Sequence, residues 1–215
     1  MNREMKTLAS SRQREQMKRL RSYSLIALCI LVLISGVSSA QSRRDAQVQP
    51  EKLMDAIGVK PGMVIGEAGA GEGYFTFKLS RRVGETGRVY ANDIVERVLM
   101  VIENRCEREG ITNITTILGK VEDPLFPEGA LDMIFMISAF HDFEKKVEWL
   151  NNVKPYLKPG ATLVIVESDP DKSGRGSGHL MTKDEILETV KESSFMLDRI
   201  ETFLPTHNIY IYKLD

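Results

Sequence analysis

The sequence predicts an α/β protein with a doubly wound, mostly parallel seven-stranded sheet that ends in an antiparallel hairpin. Three observations lead to this prediction. Apolar segments of strand length alternate with amphipathic segments of helical spacing between residues 64 and 167. A glycine-rich turn joins the first strand to the helix that follows it. Two segments of strand character close the chain on either side of Pro205.

The glycine-rich turn follows the apolar start of the first strand and contains glycine at positions 66, 69, 71 and 73. Gly69, Gly71 and Gly73 can adopt backbone angles that a Cβ atom disfavours, and they let a ligand approach the main chain. The free N–H groups at the start of the next helix would point at that ligand. The turn is therefore predicted to bind a nucleotide.

Two acidic residues narrow the choice of ligand. Glu67 precedes the glycines, and Asp93 ends the second predicted strand 22 residues after Gly71. A carboxylate about 20 residues beyond a glycine turn is placed to accept hydrogen bonds from ribose hydroxyls. The dinucleotide fingerprint Gly-x-Gly-x-x-Gly fails, because Tyr74 or Ala68 stands where it requires glycine. The unit is predicted to bind an adenosine-like group.

The other strands and helices alternate along the chain, and turn or capping residues separate them. Gly58 and Gly110 end helices, and Thr182 with Glu185 has the spacing of a capping box. The predicted helices are 50–57, 74–82, 95–109, 142–157 and one from residue 182, and the later strands are 88–93, 114–118, 131–137, 161–167, 196–204 and 207–212.

The acid-first pattern Glu-x-Gly-x-Gly-x-Gly at residues 67–73 resembles motif I of the class I S-adenosylmethionine-dependent methyltransferases. Residues 87–94 resemble their second strand with its ribose-binding acid, and residues 119–132 resemble their adenine-side loop. Residues 157–166 are similar to their turn into strand five. The resemblance implies a Rossmann-like methyltransferase fold over residues 50–215 with S-adenosyl-L-methionine as the cofactor.

The resemblance also implies the site residues. Lys120 stands where members often carry Asp, which moves the adenine contact to the next acids or to the backbone. His141, in the run Ala-Phe-His-Asp after strand four, is the candidate catalytic base or acceptor contact. The alternatives are a helix cap for Asp93 and a structural role for His141. For Glu67 the alternative is a helix cap or a lysine pair, and for Glu122 and Asp123 it is solvated loop charge. The implied cofactor contacts are Glu67, Ala68, Gly69, Gly71, Gly73, Asp93, Ile94, Glu122, Asp123 and Ser138.

Three functions remain open from the sequence. A methyltransferase acting on a small molecule or an exposed protein group accounts for every motif. A nicotinamide-dependent oxidoreductase is disfavoured by the failed dinucleotide fingerprint. An exported, non-catalytic ligand-binding module on a methyltransferase fold is the third, since S-adenosylmethionine is made in the cytosol. The acceptor stays open, because acceptor specificity lies in loops that vary freely on one fold.

The N-terminal residues 1–40 have the order of a secretory signal peptide. Basic and polar residues fill 1–24, ten consecutive apolar residues fill 25–34, and small residues at 38–40 precede Gln41. The apolar run is shorter than the ~20 residues that span a bilayer, so an uncleaved anchor is the alternative. We therefore predict an exported domain, periplasmic or secreted.

Three further expectations concern this N-terminal segment. A start at Met17 would give a 24-residue signal, inside the usual length of about 15 to 30 residues. The polar residues 41–49 are predicted to form a linker to the folded domain. If the signal is not cleaved, residues 25–40 would be the only membrane contact.

Charge and cysteine content exclude several partners. Loss of residues 1–40 would leave 22 basic and 28 acidic side chains, a net charge of −6, which disfavours nucleic-acid binding. Cys106 lies on the apolar face of the predicted helix 95–109, where packing is expected. The other cysteine, Cys29, lies in the N-terminal apolar run, so one cysteine and three scattered histidines remain, which predict no disulfide and no metal cluster. A small-molecule substrate is the expected partner.

The N-terminal order predicts cleavage after Ala40. Mass spectrometry of the native protein should find Gln41 as its first residue, and fractionation should find it outside the cytosol. An intact N-terminus before residue 40 would contradict processing, and a cytosolic location would contradict export.

Overall fold

The computed structural model describes residues 41–174 and 178–214, so the predicted signal segment and its cleavage site lie outside the described residues. The chain divides into the units Met1–Ala46 and Gln47–Asp215, and the second contains the fold described below. Among the described residues no helix combines the length and the apolar character that a membrane span requires. Residues 41–48, predicted as part of a linker, are helical, and Val48 is buried in the core.

Helices and strands alternate from Pro50 onward, as the sequence predicts. The strands predicted at 88–93, 114–118 and 131–137 have the predicted bounds. In chain order the elements are α1 Pro50–Ala56, β1 Val64–Ala68, α2 Thr76–Val83, β2 Arg88–Asp93, α3 Glu96–Glu109, β3 Ile114–Leu118, β4 Leu131–Ile137, α4 Lys146–Asn152, β5 Leu157–Ser168, α5 Pro170–Ser173, α6 Lys183–Lys191, β6 Phe195–Glu201 and β7 His207–Leu214.

Seven strands form one sheet in the order β3-β2-β1-β4-β5-β7-β6. Strands β1 to β5 are parallel, and β7 runs antiparallel to both β5 and β6. The predicted doubly wound sheet with a C-terminal antiparallel hairpin is therefore confirmed. The strand order reverses between β1 and β4, and the carboxyl ends of those strands open a crevice at that point.

The central strands are buried on both faces of the sheet. Ile134 and Phe135 of β4, and Leu163 and Val164 of β5, are fully buried. A continuous apolar run suits a parallel strand that is covered on both sides. Gly66 in β1 serves this packing, because a Cβ atom there would lie 2.8 Å from Leu131 Cδ1.

Three predicted elements have bounds that differ from the structure by more than two residues. One of them is the strand predicted over 196–204, which ends as β6 at Glu201. The helix predicted over 142–157 is limited to α4, and short 3₁₀ turns lie on either side of it. The Lys146 ammonium donates hydrogen bonds to the carbonyls of His141 and Phe143, and these bonds hold the residues before α4 as a loop. Pro155, which cannot donate a backbone hydrogen bond, lies in the second turn.

Strand β5 begins at residue 157 instead of residue 161. Leu157 pairs with Leu131, but the next paired residue is Thr162, opposite Met133. The intervening residues bulge out of the ladder, which is where a strand tolerates proline and glycine. The signals at Pro159 and Gly160 therefore mark a bulge within the strand and not its start.

The predicted capping box is confirmed at the start of α6. The Glu185 N–H donates to Thr182 Oγ1 at 3.3 Å, and the Thr182 N–H donates to the Glu185 carboxylate at 2.7 Å. The hydrogen bonds that the Thr182 N–H and the Thr182 hydroxyl donate to the Glu185 carboxylate lower the pKa of this exposed carboxyl. The cap ends the loop that leads from β5 to α6.

Candidate functional site

The glycine turn has the backbone conformation that its sequence predicts. Gly69, Gly71 and Gly73 have φ angles of +73°, +54° and +86°. A Cβ atom on Gly69 would lie 2.5 Å from Ala139 Cβ, so the turns after β1 and β4 touch where the strand order reverses. A Cβ atom on Gly71 would meet nothing within 4 Å. The turn thus leaves its main chain open to a ligand.

Asp93 ties this turn to the start of α3. Its Oδ2 accepts a hydrogen bond from the Gly71 N–H at 2.9 Å, and its Oδ1 accepts one from the Val95 N–H at 3.0 Å. The bond to Val95 shapes the turn before α3, but the N-cap of α3 is Val95, so Asp93 is not the helix cap that the sequence left as an alternative. Each carboxylate oxygen keeps a further lone pair, so Asp93 can also accept hydrogen bonds from ribose hydroxyls.

A cavity of about 310 Å³ lies at the carboxyl ends of β1, β2 and β4. This volume is at the lower end of the range for small-molecule sites, roughly 300 to 1,000 Å³. Its walls are Gly69, Asn92, Asp93, Ile94, Val95, Lys120, Val121, Ser138, Ala139, Asp142, Phe143, Glu144 and Trp149.

The cavity fits the cofactor that the resemblance implies. Gly69, which has no Cβ atom to clash with Ala139, lines the cavity, and so does Asp93 with its carboxylate oxygens. Ile94 and Val95 line the cavity, although they are 56% and 46% exposed. A flat aromatic base bound against them would cover this apolar surface. The chemistry of the lining therefore suits an adenosine with its ribose at Asp93.

The predicted cofactor contacts fall into two groups. Gly69, Asp93, Ile94 and Ser138 line the cavity. Glu67 and Ala68 are buried within β1, and their side chains are 2% and 0% exposed. The residues outside the lining are Glu67, Ala68, Gly71, Gly73, Glu122 and Asp123.

The structure places Lys120 and Val121, instead of Glu122 and Asp123, against the cavity. Asp123 Oδ1 accepts hydrogen bonds from the Tyr156 hydroxyl at 2.7 Å and from the Leu125 N–H at 2.9 Å. Burial, and then this bond to Asp123, raise the pKa of Tyr156 to about 12. Asp123 thus fixes the shape of the loop.

Glu122, in the same loop, contacts residues outside the cavity lining. Its carboxylate lies 3.9 Å from Lys145 Nζ, and its carbonyl accepts a hydrogen bond from Asn152 Nδ2. Asn92, which the sequence analysis missed, lines the cavity and donates hydrogen bonds to the carbonyls of Ile117 and Pro124. Asn92 therefore anchors the loop to β2 and β3.

Ser138 begins the turn after β4 in a left-handed conformation, with φ of +50°. Its N–H donates to the Val166 carbonyl, and its Oγ lies 3.2 Å from His207 Nε2. The other ring nitrogen of His207 lies 2.8 Å from Thr206 Oγ1. Ser138 thus lines the cavity while its side chain bonds to the start of β7.

His141 is oriented by Glu167, a residue that the sequence analysis missed. His141 Nδ1 lies 2.8 Å from Glu167 Oε2, and Glu167 Oε1 accepts a hydrogen bond from the Ala139 N–H at 3.1 Å. The bond to Glu167 raises the pKa of His141, while burial acts in the opposite direction. An ionised carboxylate only accepts, so Nδ1 carries the proton in this contact, and in the neutral form of the imidazole the lone pair lies on Nε2.

The second nitrogen of His141 faces a histidine from a distant part of the chain. His141 Nε2 lies 3.5 Å from Asp142 Oδ2, and His179 Nε2 lies 2.9 Å from Asp142 Oδ1. The two imidazole rings are 5.4 Å apart between centroids. The fold therefore joins two histidines that the sequence analysis treated as scattered.

A family model described as "Methyltransferase domain" matches residues 59–211. The chain belongs to this methyltransferase family. The class that the sequence resembles, the class I S-adenosylmethionine-dependent methyltransferases, is thereby confirmed, with S-adenosyl-L-methionine as the cofactor.

Individual relatives agree with this family. The ubiquinone/menaquinone biosynthesis C-methyltransferase UbiE of Hydrogenovibrio crunogenus is 31% identical over 111 residues, which cover 51% of this chain and 44% of that protein. The chain thus matches less than half the length of this curated relative.

Two solved structures share the fold. The S-adenosylmethionine-dependent methyltransferase of Aquifex aeolicus has a TM-score of 0.73 and 24% identity, over 82% of this chain and 98% of that one. The geranyl diphosphate C-methyltransferase of Streptomyces coelicolor A3(2), crystallised with Mg²⁺, geranyl diphosphate and S-adenosyl-L-homocysteine, has a TM-score of 0.62 and 15% identity, over 80% and 82%.

The geometry of Asp93 predicts that Asp93→Ala weakens cofactor binding about ten- to several-hundredfold. Hydrogen bonds to a charged group contribute about 1.5 to 3 kcal/mol each, and the carboxylate faces the cavity while it holds the glycine turn. Calorimetric titration with S-adenosyl-L-homocysteine measures the change. Asp184→Ala, which removes an exposed acid on α6, is the matched control. Equal affinity in the two variants would leave Asp93 only its structural role.

Proposed function

We propose that this protein transfers a methyl group from S-adenosylmethionine to a small-molecule acceptor with an apolar part. One observation carries the proposal. The cavity joins the cofactor turn to an aromatic wall, in which the rings of Phe143 and Trp149 are 5.0 Å apart. Trp149 is 2% exposed, so the wall is held by the core. The name of the UbiE relative, which refers to quinone biosynthesis, supports an acceptor of this kind.

The cofactor, when bound, supplies an electrophilic methyl group on a sulfonium sulfur. The task of the protein is to align the acceptor with that methyl group and to exclude water. Gly69 and Asp93 hold the cofactor side of the cavity, and Phe143 with Trp149 excludes water from the acceptor side. A base is needed only when the reacting acceptor atom carries a proton.

His141 is the residue that we propose for this proton. Glu167 fixes its ring through Nδ1, so the neutral imidazole presents the lone pair of Nε2. His141 itself is outside the cavity lining, but the adjacent Asp142 is part of it. An acceptor that extends past Asp142 would reach the imidazole. This arrangement also fits the alternative role of His141 as a contact that orients the acceptor.

Export is also part of the proposal, and it supports the second candidate function. The basic, apolar and small-residue order of residues 1–40 is its basis. Because S-adenosylmethionine is made in the cytosol, an exported domain could bind a ligand without turning it over. A non-catalytic binding module is therefore the alternative that the activity test must separate from an enzyme.

Ligand binding and turnover together test the function. A hundredfold excess of S-adenosyl-L-homocysteine over Kd stabilises the folded state by about 2.7 kcal/mol, which raises Tm by roughly 5 to 10 °C for a chain of this size. Incubation with methyl-labelled S-adenosylmethionine and a panel of apolar carbon, oxygen, nitrogen and sulfur nucleophiles should label an acceptor. Binding without transfer to any acceptor would favour the non-catalytic module. A Tm rise with NADH alone would favour the oxidoreductase.

Substitution of His141 separates proton transfer from alignment. With a labelled acceptor that loses a proton, His141→Ala should lower kcat by about 10² to 10⁴ and leave cofactor affinity nearly unchanged. His141→Gln keeps most of the volume but not the base, so it should lower kcat similarly. These activity assays are run in the presence of a chelator, so that no adventitious metal ion occupies Nε2 of His141. Near-full activity of His141→Gln would instead assign alignment, and loss of cofactor binding in both variants would assign a structural role.

A further inference from the structure

Beside the cofactor cavity, three potential metal ligands converge from two loops. The His141 and Asp142 side chains come from the turn after β4, and His179 comes from the loop between α5 and α6. One ligand atom of each lies within 4.8 Å of the others. Within the described residues, 41–174 and 178–214, this is the group of histidine and carboxylate side chains that could hold an ion.

The first ligand is already oriented for metal binding. His141 donates its Nδ1–H to Glu167, a carboxylate that is 2% exposed, and its Nε2 faces Asp142 and His179. Metal-binding histidines commonly donate their second ring N–H to a carboxylate, which fixes the tautomer and makes the free nitrogen more basic. A surface pair of histidine and aspartate would not need this buried partner. The Glu167 contact therefore points to more than an ion pair.

The other two ligands can close around an ion. The Asp142 and His179 side chains are 59% and 81% exposed, so both can rotate at small cost, whereas the His141 side chain is 10% exposed and held. A Zn²⁺ ion requires Zn–N and Zn–O distances of about 2.0 to 2.2 Å. Rotation of the Asp142 and His179 side chains can bring their ligand atoms from the present spacing, within 4.8 Å of one another, to these bonding distances from one ion.

The charges of the site also suit a divalent cation. Asp142 and Glu167 are both carboxylates, and they compensate the two positive charges of such an ion. The nearby Lys146 ammonium is directed to the carbonyls of His141 and Phe143.

We propose that His141, Asp142 and His179 bind one divalent transition-metal ion such as Zn²⁺. Two imidazoles and one carboxylate favour zinc and its first-row neighbours over Mg²⁺ or Ca²⁺, which prefer oxygen ligands. Three protein ligands leave at least one coordination position open, as in catalytic zinc sites. Since Asp142 lines the cavity, an oxygen or nitrogen atom of an acceptor can fill that position.

The metal and the proposed base use the same lone pair of His141 Nε2. The metal-loaded protein would therefore hold an acceptor by coordination, and the metal-free protein would hold it by a hydrogen bond. Metal binding can be measured without S-adenosylmethionine or an acceptor. A failure of the metal proposal is thus distinguishable from a failure of the methyltransferase proposal.

The test is a titration of the full chain, purified without a histidine tag and freed of metal with a chelator. Isothermal calorimetry with ZnCl₂ should show one ion per chain. Co²⁺ added in place of Zn²⁺ should give a visible absorption spectrum typical of a Co²⁺ ion bound by nitrogen and oxygen ligands. Glu167→Gln should weaken zinc binding by about 10- to 100-fold, because it removes the partner of Nδ1. His179→Ala and Asp142→Asn, which remove ligands at exposed positions, should weaken it at least as much.

Two matched controls make the result specific. Asp171→Asn neutralises an exposed acid on α5, and Cys106→Ser removes the thiol, so neither should change zinc affinity. The absence of one-to-one uptake would overturn the proposal, as would wild-type affinity in His179→Ala. Loss of uptake in Cys106→Ser would overturn it too, by assigning the ion to the thiol. Because His179 is largely exposed, its variant tests the site even if His141→Ala fails to fold.

Discussion

The buried carboxylate of Glu167 is the interaction on which the proposed acceptor side of this site depends. Burying a charge costs several kcal/mol unless hydrogen bonds satisfy it. Glu167 accepts from the N–H groups of Ala139 and His141 and from the imidazole of His141. All three donors belong to the turn after β4, so a residue of β5 fixes the path of its neighbour's turn. That path delivers Ser138 and Asp142 to the cavity.

The cofactor side is built by the same device, with Asp93 in place of Glu167. Asp93 ends β2 and accepts from the N–H of Gly71 in the turn after β1, so again an acid of one strand holds the turn of its neighbour. The two turns meet where Gly69 lies against Ala139. A displacement of either turn would therefore disturb the other. The cofactor side and the proposed acceptor side are thus in direct contact.

The sequence predicted the sheet well because its central strands are long apolar runs, and it predicted the cofactor turn because glycines and an acid recur at fixed spacing. The adenine-side loop had no periodic pattern, and Asn92 and Tyr156, which shape it, lie outside that loop. Glu167 carried a signal that was overlooked: an acid at the carboxyl end of an apolar strand, as Glu67 is in β1. The approach of His179 to Asp142 left no local signal, since it depends on how the loop after β5 folds back.

The cofactor half of the site could be predicted from the sequence and the proposed acceptor half could not, because the two halves are built in different ways. The cofactor half needs glycines with positive φ angles and one carboxylate. These residues lie close together in the sequence at regular spacing, so a sequence pattern can reveal them. The acceptor half is assembled from side chains on the turn after β4, on α4 and on the loop after β5, with no fixed spacing between them. Changes there can alter the acceptor while Asp93 and Gly69 stay in place. The proposed acceptor side therefore depends on tertiary contacts such as those of Glu167, His179 and Trp149.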